Sequence, residues 1–137
     1  MFLDTNVLFS GFHSLEGTAG LILRACREGI FEGVISDDVI HEVVGNLARK
    51  SPGSLNDIEP WLEEAAPDVA PHPTFLETEV WFERGFGPDA PIAAAAYRAE
   101  VDFLCTGDRL FRERWNNLQS TPKAVSPREL LEFLELT

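Results

Sequence analysis

Phe103-Leu104-Cys105-Thr106-Gly107-Asp108-Arg109-Leu110-Phe111 (103–111) decides the fold. Residues 103–106 form the clearest buried strand in the chain. A glycine and an acid follow, and Leu110 and Phe111 then suit a short helix. The chain opens on the same order, with Phe2-Leu3 as a short buried strand and Asp4-Thr5-Asn6 at its carboxyl end. Val34-Ile35, Val69-Ala70 and Ala124-Val125 supply further short strands. Helical spacing fills the intervals between them: Leu21, Ile22 and Ala25 ahead of Gly29; Val39, Ile40, Val43, Val44 and Leu47; and Ile58, Trp61 and Leu62. Strands that alternate with helices predict an α/β fold, a central parallel sheet with helices on both faces.

Local signals set the boundaries. Ser36 is placed to cap a helix whose first turn carries Asp37 and Asp38, where the helix dipole favours acids. Ser126-Pro127-Arg128-Glu129 reads as a capping box with proline at the first helical position. Pro91 is compatible with a helix over 89–100 because it lies in the first turn. Residues 75–82 read as a further helix. Val7-Leu8-Phe9 is read as more strand or a turn, and 11–17 and 85–88 as loops.

At 137 residues with 45% apolar content, the chain is expected to be one domain, 1–137, with a real core. No apolar run approaches the ~20 residues of a membrane span. The N-terminus lacks a basic leader, so no signal peptide is expected. Cys26 and Cys105 form neither a ligand pattern nor a disulfide framework, and a buried Cys105 in a reducing, cytoplasmic setting is the plain expectation. The net charge of −12 excludes a broad electrostatic grip on nucleic acid. Nine of the 11 basic residues are arginines, the better residue for bidentate phosphate contact, and only Lys50 and Lys123 are lysines. A few arginines beside a bound cation would still serve an acidic chain.

Four acids occupy positions awkward for an isolated carboxylate. Asp4 and Asp108 end apolar strands, Glu42 lies among Val39, Ile40, Val43 and Val44, and Asp89 precedes the apolar run 92–97. In open parallel sheets, ligands bind beyond the carboxyl ends of the strands, which places Asp4 and Asp108 in one site. Helical geometry sets Glu42 roughly 130° from the middle of the Val39/Val43/Leu47 stripe, at the rim of the buried face. Carboxylates brought together repel, and the common reason to gather them is a hard divalent cation with oxygen ligands. Each acid also has a plainer reading: a turn at Asp4, a solvated Glu42, a helix cap at Asp89, a Gly-Asp turn at Asp108.

The segments 2–8, 89–96 and 104–111, with the Glu42 helix, resemble the signature segments of PIN-domain ribonucleases. The resemblance covers nearly the whole chain, to the strand–helix junction at 125–129. It implies that Asp4, Glu42, Asp89 and Asp108 are the catalytic, metal-binding set for Mg²⁺ or Mn²⁺, with Asn6 and Thr106 as polar neighbours. Within that set, Asp4, Asp89 and Asp108 are assigned mainly to metal binding, and Glu42 to a second metal or the attacking water. It further implies cleavage of RNA, a role as a VapC-like toxin component, an antitoxin protein as partner, and a homodimer. One position departs: some relatives carry a second acid where this chain has Ala90, which points to a single tightly bound metal.

Arg109, Arg112 and Arg114 follow Asp108 and could meet RNA phosphates, with Arg109 and Arg112 on one helix face; the plainer reading is a solvated surface paired with Glu113. Trp61 is expected in the core, and the 81–86 segment as a dimer or partner surface. His41 points about 100° away from Glu42 and is not expected to share an ion with it. Two other functions stand beside the nuclease: a catalytically weak RNA- or protein-binding relative, and a phosphoacceptor signalling domain. The second lacks a well-placed late lysine, since Lys123 is far from the Thr-Gly-Asp turn in sequence order. A haloacid-dehalogenase-like phosphatase would need an acid where Asn6 stands.

Overall fold

In the computed structural model, which describes residues 1–119 and 121–135, five short strands form one parallel sheet. They are β1 (Phe2–Leu3), β2 (Val34–Ser36), β3 (Asp68–Ala70), β4 (Phe103–Cys105) and β5 (Lys123–Val125), in the order β3-β2-β1-β4-β5. Central β1 pairs Phe2 with Val34 on one side and with Leu104 on the other. Phe2, Leu3 and Leu104 are fully buried, as expected of strands covered on both faces.

The helices follow in alternation. β1 leads to α1 (Thr5–His13) and α2 (Thr18–Arg27), and β2 to α3 (Asp37–Lys50), a 3₁₀ turn at Pro52–Asp57 and α4 (Ile58–Ala65). β3 leads to α5 (Phe75–Trp81), a π-type turn (Phe82–Phe86), a 3₁₀ turn (Gly87–Asp89) and α6 (Ala90–Arg98). β4 is followed by α7 (Arg109–Leu118), and β5 by α8 (Pro127–Phe133). From β1 the chain steps outward to β2 and β3, then crosses the sheet and steps the other way through β4 and β5. Crossovers of one hand therefore lay their helices on opposite faces. The reversal falls between β1 and β4, the place where a doubly wound sheet opens a crevice at its carboxyl edge.

Each face has its own aromatic core. On one, Trp61 of α4 meets Phe12 of α1 edge-on, at 5.7 Å between ring centroids, and its Nε1 donates to the Leu23 carbonyl at 2.8 Å. On the other, Trp81 stacks on Trp115 at 4.9 Å, Phe86 meets Phe111 at 5.0 Å, and Trp115 Nε1 donates to the Pro122 carbonyl at 2.7 Å. The edge strand β5 is closed to further pairing: the Asn116 side chain accepts from the Ala124 N–H and donates to its carbonyl, both at 2.9 Å.

Several sequence expectations need correction. Val7-Leu8-Phe9 is helix, not strand, and α1 runs to His13, into the start of the expected 11–17 loop. The cause is Asp4, whose carboxylate accepts from the Thr5 N–H and starts the helix immediately after β1. Residues 85–88 form a tight kink through Gly85 and Gly87 rather than an open loop. The Leu110-Phe111 helix is ten residues long. Val44 is exposed, because the buried stripe of α3 is Val39, Val43 and Leu47. Trp81 and Phe86 are core residues, not a partner surface; within that segment the exposed aromatic is Phe82. The Ser36 cap, the Ser126 capping box and β3 stand where the sequence puts them.

Trp115 locks α7, and with it Asp108, against the sheet. Trp115→Ala removes a fully buried indole and is expected to cost about 3–5 kcal/mol of unfolding free energy, read as a lowered urea midpoint at unchanged slope.

Candidate active site

Asp4 sits at the bottom of the crevice between β1 and β4, with only 7% of its surface exposed. One carboxylate oxygen accepts the Thr5 N–H at 2.7 Å. The other accepts the Thr106 hydroxyl at 2.7 Å and lies 3.4 Å from the Asn6 amide nitrogen. The Thr106 oxygen in turn accepts from the Asp108 N–H at 3.1 Å and from the Asn6 amide at 3.2 Å. Asn6 closes the loop, its Oδ1 accepting the Gly107 N–H at 2.7 Å. One hydroxyl thus joins the two strand-end residues, and Asn6 and Thr106 both lie against Asp4.

The other three acids line the mouth of the crevice. Asp108 is exposed and spends one oxygen capping α7 through the Phe111 N–H at 3.1 Å, so its plainer reading holds in part. Asp89 is half-buried and makes no side-chain cap bond to α6, so the cap reading fails there. Its position is set by the two turns before it. Gly85 (φ 93°) and Gly87 (φ 51°) take backbone conformations that side chains rarely adopt, and they turn the chain so that Asp89 faces the crevice acids. Glu42 is exposed rather than at the rim as a whole residue. Its carboxylate nevertheless folds back to accept the Thr5 hydroxyl at 2.7 Å.

The acids lie near enough to perturb Asp4 and Asp89. Burial pushes the Asp4 carboxyl up to about 6, with Asp89 and Glu42 adding to the rise against the Thr106 and Thr5 hydrogen bonds. Asp89 is also raised, first by desolvation and then by Asp108 and Glu42, while Arg114 opposes the shift. Among the described residues, none of the four acids makes an ion pair. Nor, among these residues, does any group of three or more acid, histidine or cysteine side chains stand close enough to hold one ion as placed. Carboxylates held as neighbours without a protein cation fit a hard divalent ion that keeps most of its waters and takes one or two carboxylates. They do not form a closed protein cage.

The candidate RNA contacts divide. Arg112 donates to the Thr106 carbonyl at 2.8 Å, against the floor of the site, whereas Arg109 pairs with Glu113 at 3.2 Å as in its plainer reading. His72 pairs with Asp38 and His13 stacks on Phe9. Cys105 is buried and its thiol is pushed up to about 12, as suits an inert core residue. Two participants escaped the sequence reading: Thr5 looked like a turn residue, and the Gly107 N–H carries no side-chain signal. Arg114, a candidate phosphate contact with Arg109 and Arg112, lies on the Asp89 side.

A family model described as PIN domain matches residues 1–110, from β1 into α7. The chain belongs to the PIN-domain family. No curated protein and no solved structure is similar enough to match. PIN domains are in general nucleases, hydrolases that generally use divalent metal ions. Beyond the matched span, β5 completes this PIN domain's sheet and α8 packs against α2. No helix among the described residues is long and apolar enough to cross a membrane.

The Asp4 shift fixes a pH dependence. Its carboxyl is raised above the unfolded value of 3.8, so the folded state favours the proton. The stability it contributes is complete below about 4 and is lost as pH rises through about 6. Ionisation of Asp4 then costs about 3 kcal/mol at neutral pH. In EDTA, the Asp4→Asn variant is expected to gain stability relative to the wild type as pH rises from 4 to 7, whatever constant offset its altered hydrogen bonds impose. Parallel pH profiles in denaturant titrations would contradict this account of Asp4.

Proposed function

We propose that this PIN domain is a Mg²⁺- or Mn²⁺-dependent endoribonuclease that hydrolyses RNA phosphodiester bonds. The observation that carries the reading is the gathering of four carboxylates at the β1/β4 reversal, with buried Asp4 tied by Thr106 to Asp108. When bound, the cation polarises the phosphodiester and lowers the pKa of a bound water. Asp4 is the rigid member, fixed from three sides. Asp108, with one oxygen left after capping α7, and Asp89, with both, complete the oxygen set. Glu42, steadied by the Thr5 hydroxyl, is the group assigned to orient the attacking water. Thr106 and Asn6 hold Asp4 and the 106–108 turn in register. The family resemblance extends the reading to a toxin component of a toxin–antitoxin pair, working in the cytoplasm as a homodimer and held in check by an antitoxin protein.

A second reading is favoured by two specific features. Ala90 stands buried beside Asp89 where some relatives carry an acid, and among the described residues no three ligands converge as placed. These suit a PIN domain that binds RNA or protein but cleaves weakly.

Calorimetric titration with Mn²⁺ separates the two before any RNA is chosen. The wild type is expected to bind, Asp108→Asn to lose most of the heat, and cleavage of RNA to require the ion. Thr106→Val removes the hydroxyl that orients Asp4 and is expected to weaken Mn²⁺ binding about 10–100-fold in a protein that stays folded. Absence of Mn²⁺ binding by folded wild type would sink the nuclease reading and leave the binding module.

A further inference from the structure

Beside the acidic crevice lies a groove of opposite character. A cleft of about 470 Å³ runs between α7, β5 and the start of α8, lined by Arg109, Arg112, Asn116, Asn117 and Lys123, with Glu113 and Glu129 at its walls. Three of the chain's 11 basic residues meet here, on a protein of net charge −12. The groove's lining holds none of the four acids but borders the candidate site at two points. Arg109 follows Asp108 directly, and Arg112 grips the Thr106 carbonyl at 2.8 Å.

We infer that this groove carries the phosphate backbone of single-stranded RNA away from the cleavage site, on one side of the scissile bond. The inference rests on the nuclease reading above and adds the path of the strand. Its three cations differ in readiness. Lys123 makes no ion pair among the described residues. Arg109 is tied only to Glu113, in a pair whose side chains are 77% and 57% exposed, and an exposed pair of that kind is worth little and yields readily to a phosphate. Arg112 spends one guanidinium hydrogen on the Thr106 carbonyl and retains four donors for the strand. Asn117 is an exposed amide on the same wall, while Asn116 is committed to the Ala124 backbone. Two carboxylates in the groove keep its grip weak, which suits a substrate that must leave after cleavage. A cationic track also answers the charge problem, since a strand entering beside four acids needs neutralising groups close by.

The test uses the full chain carrying Asp108→Asn, so that RNA is not consumed, and a short fluorescein-labelled single-stranded RNA read by anisotropy across a salt series. Each neutralised phosphate contact contributes about 0.7 to the slope of log K against log salt for single strands. Adding Arg109→Gln and Lys123→Gln together is expected to flatten that slope by about 1.4 and weaken binding on the order of tenfold near 0.1 M salt. Asn117→Lys is expected to steepen it by about 0.7 and tighten binding. Both changes are on exposed side chains, and Mn²⁺ affinity measured with Asp108 intact is expected to stay at the wild-type value. RNA affinity and slope unchanged in both variants would overturn the groove, and so would a failure of the unsubstituted groove to bind RNA. If the wild type binds Mn²⁺ and cleaves RNA while the groove variants bind normally, only the path is wrong. If the wild type neither binds Mn²⁺ nor cleaves RNA, the nuclease reading fails on its own account, and the salt slopes still judge the groove.

Discussion

A carboxylate buried at the end of the central strand is the constraint around which this PIN domain is arranged. Asp4 cannot be hydrated at 7% exposure, so the protein must supply its partners. It does so from three separate places: the first N–H of α1, the Thr106 hydroxyl at the end of β4, and more loosely the Asn6 amide. The same contacts have structural consequences. Capping by Asp4 turns the chain into helix after a two-residue strand, and the Thr106 bridge fixes the end of β4 against the end of β1. Strand pairing, helix start and site geometry are therefore one set of hydrogen bonds. Even so satisfied, the carboxyl is pushed up to about 6, so its hydrogen bonds do not fully replace water.

That residual cost is informative because the surroundings do nothing to reduce it. Asp89 and Glu42 add repulsion, and no lysine or arginine pairs with any of the four acids among the described residues. Arg114 opposes the Asp89 shift only from a distance. A site built for stability alone would place a guanidinium here. Instead Arg112 is directed to a backbone carbonyl. On the proposed reading, cations beside the acids rather than among them leave the carboxylate oxygens to a divalent ion and the arginines to phosphate.

The sheet and most of the acids were legible because they rest on local signals. Apolar runs ending in Asp, serine caps and a proline at the first helical position are all readable from a few neighbouring residues. The strand-to-helix switch after Asp4 was not legible, since Val7, Leu8 and Phe9 are as fit for a strand as for a helix, and only the cap decides. Trp81 and Phe86 looked like a surface because their segment lacks periodicity. Their burial comes from Trp115 and Phe111, distant in sequence. Glu42 shows the limit of helical-wheel geometry: the wheel gave the direction of its Cβ, but the Thr5 hydroxyl, outside the helix, determines where the carboxylate ends.

Helix α7 concentrates these demands in ten residues, and the helical period separates them. Asp108 caps its start and offers an oxygen to the site. Phe111 and Trp115, four residues apart, lie on one face and fill the second aromatic core. Arg109 and Arg112 face the groove, Arg114 lies over Phe86 on the Asp89 side, and Asn116 closes the β5 edge. A rotation of the helix by one residue, about 100°, would withdraw the indole from the core, the arginine from the Thr106 carbonyl and the amide from Ala124 together. The packing of Trp115 thus fixes the orientation of Arg112, and through the Thr106 carbonyl it supports the hydroxyl that holds Asp4. Core and site are coupled here through the rigidity of a single helix, which is why the electrostatic arrangement at the crevice can persist against its own repulsion.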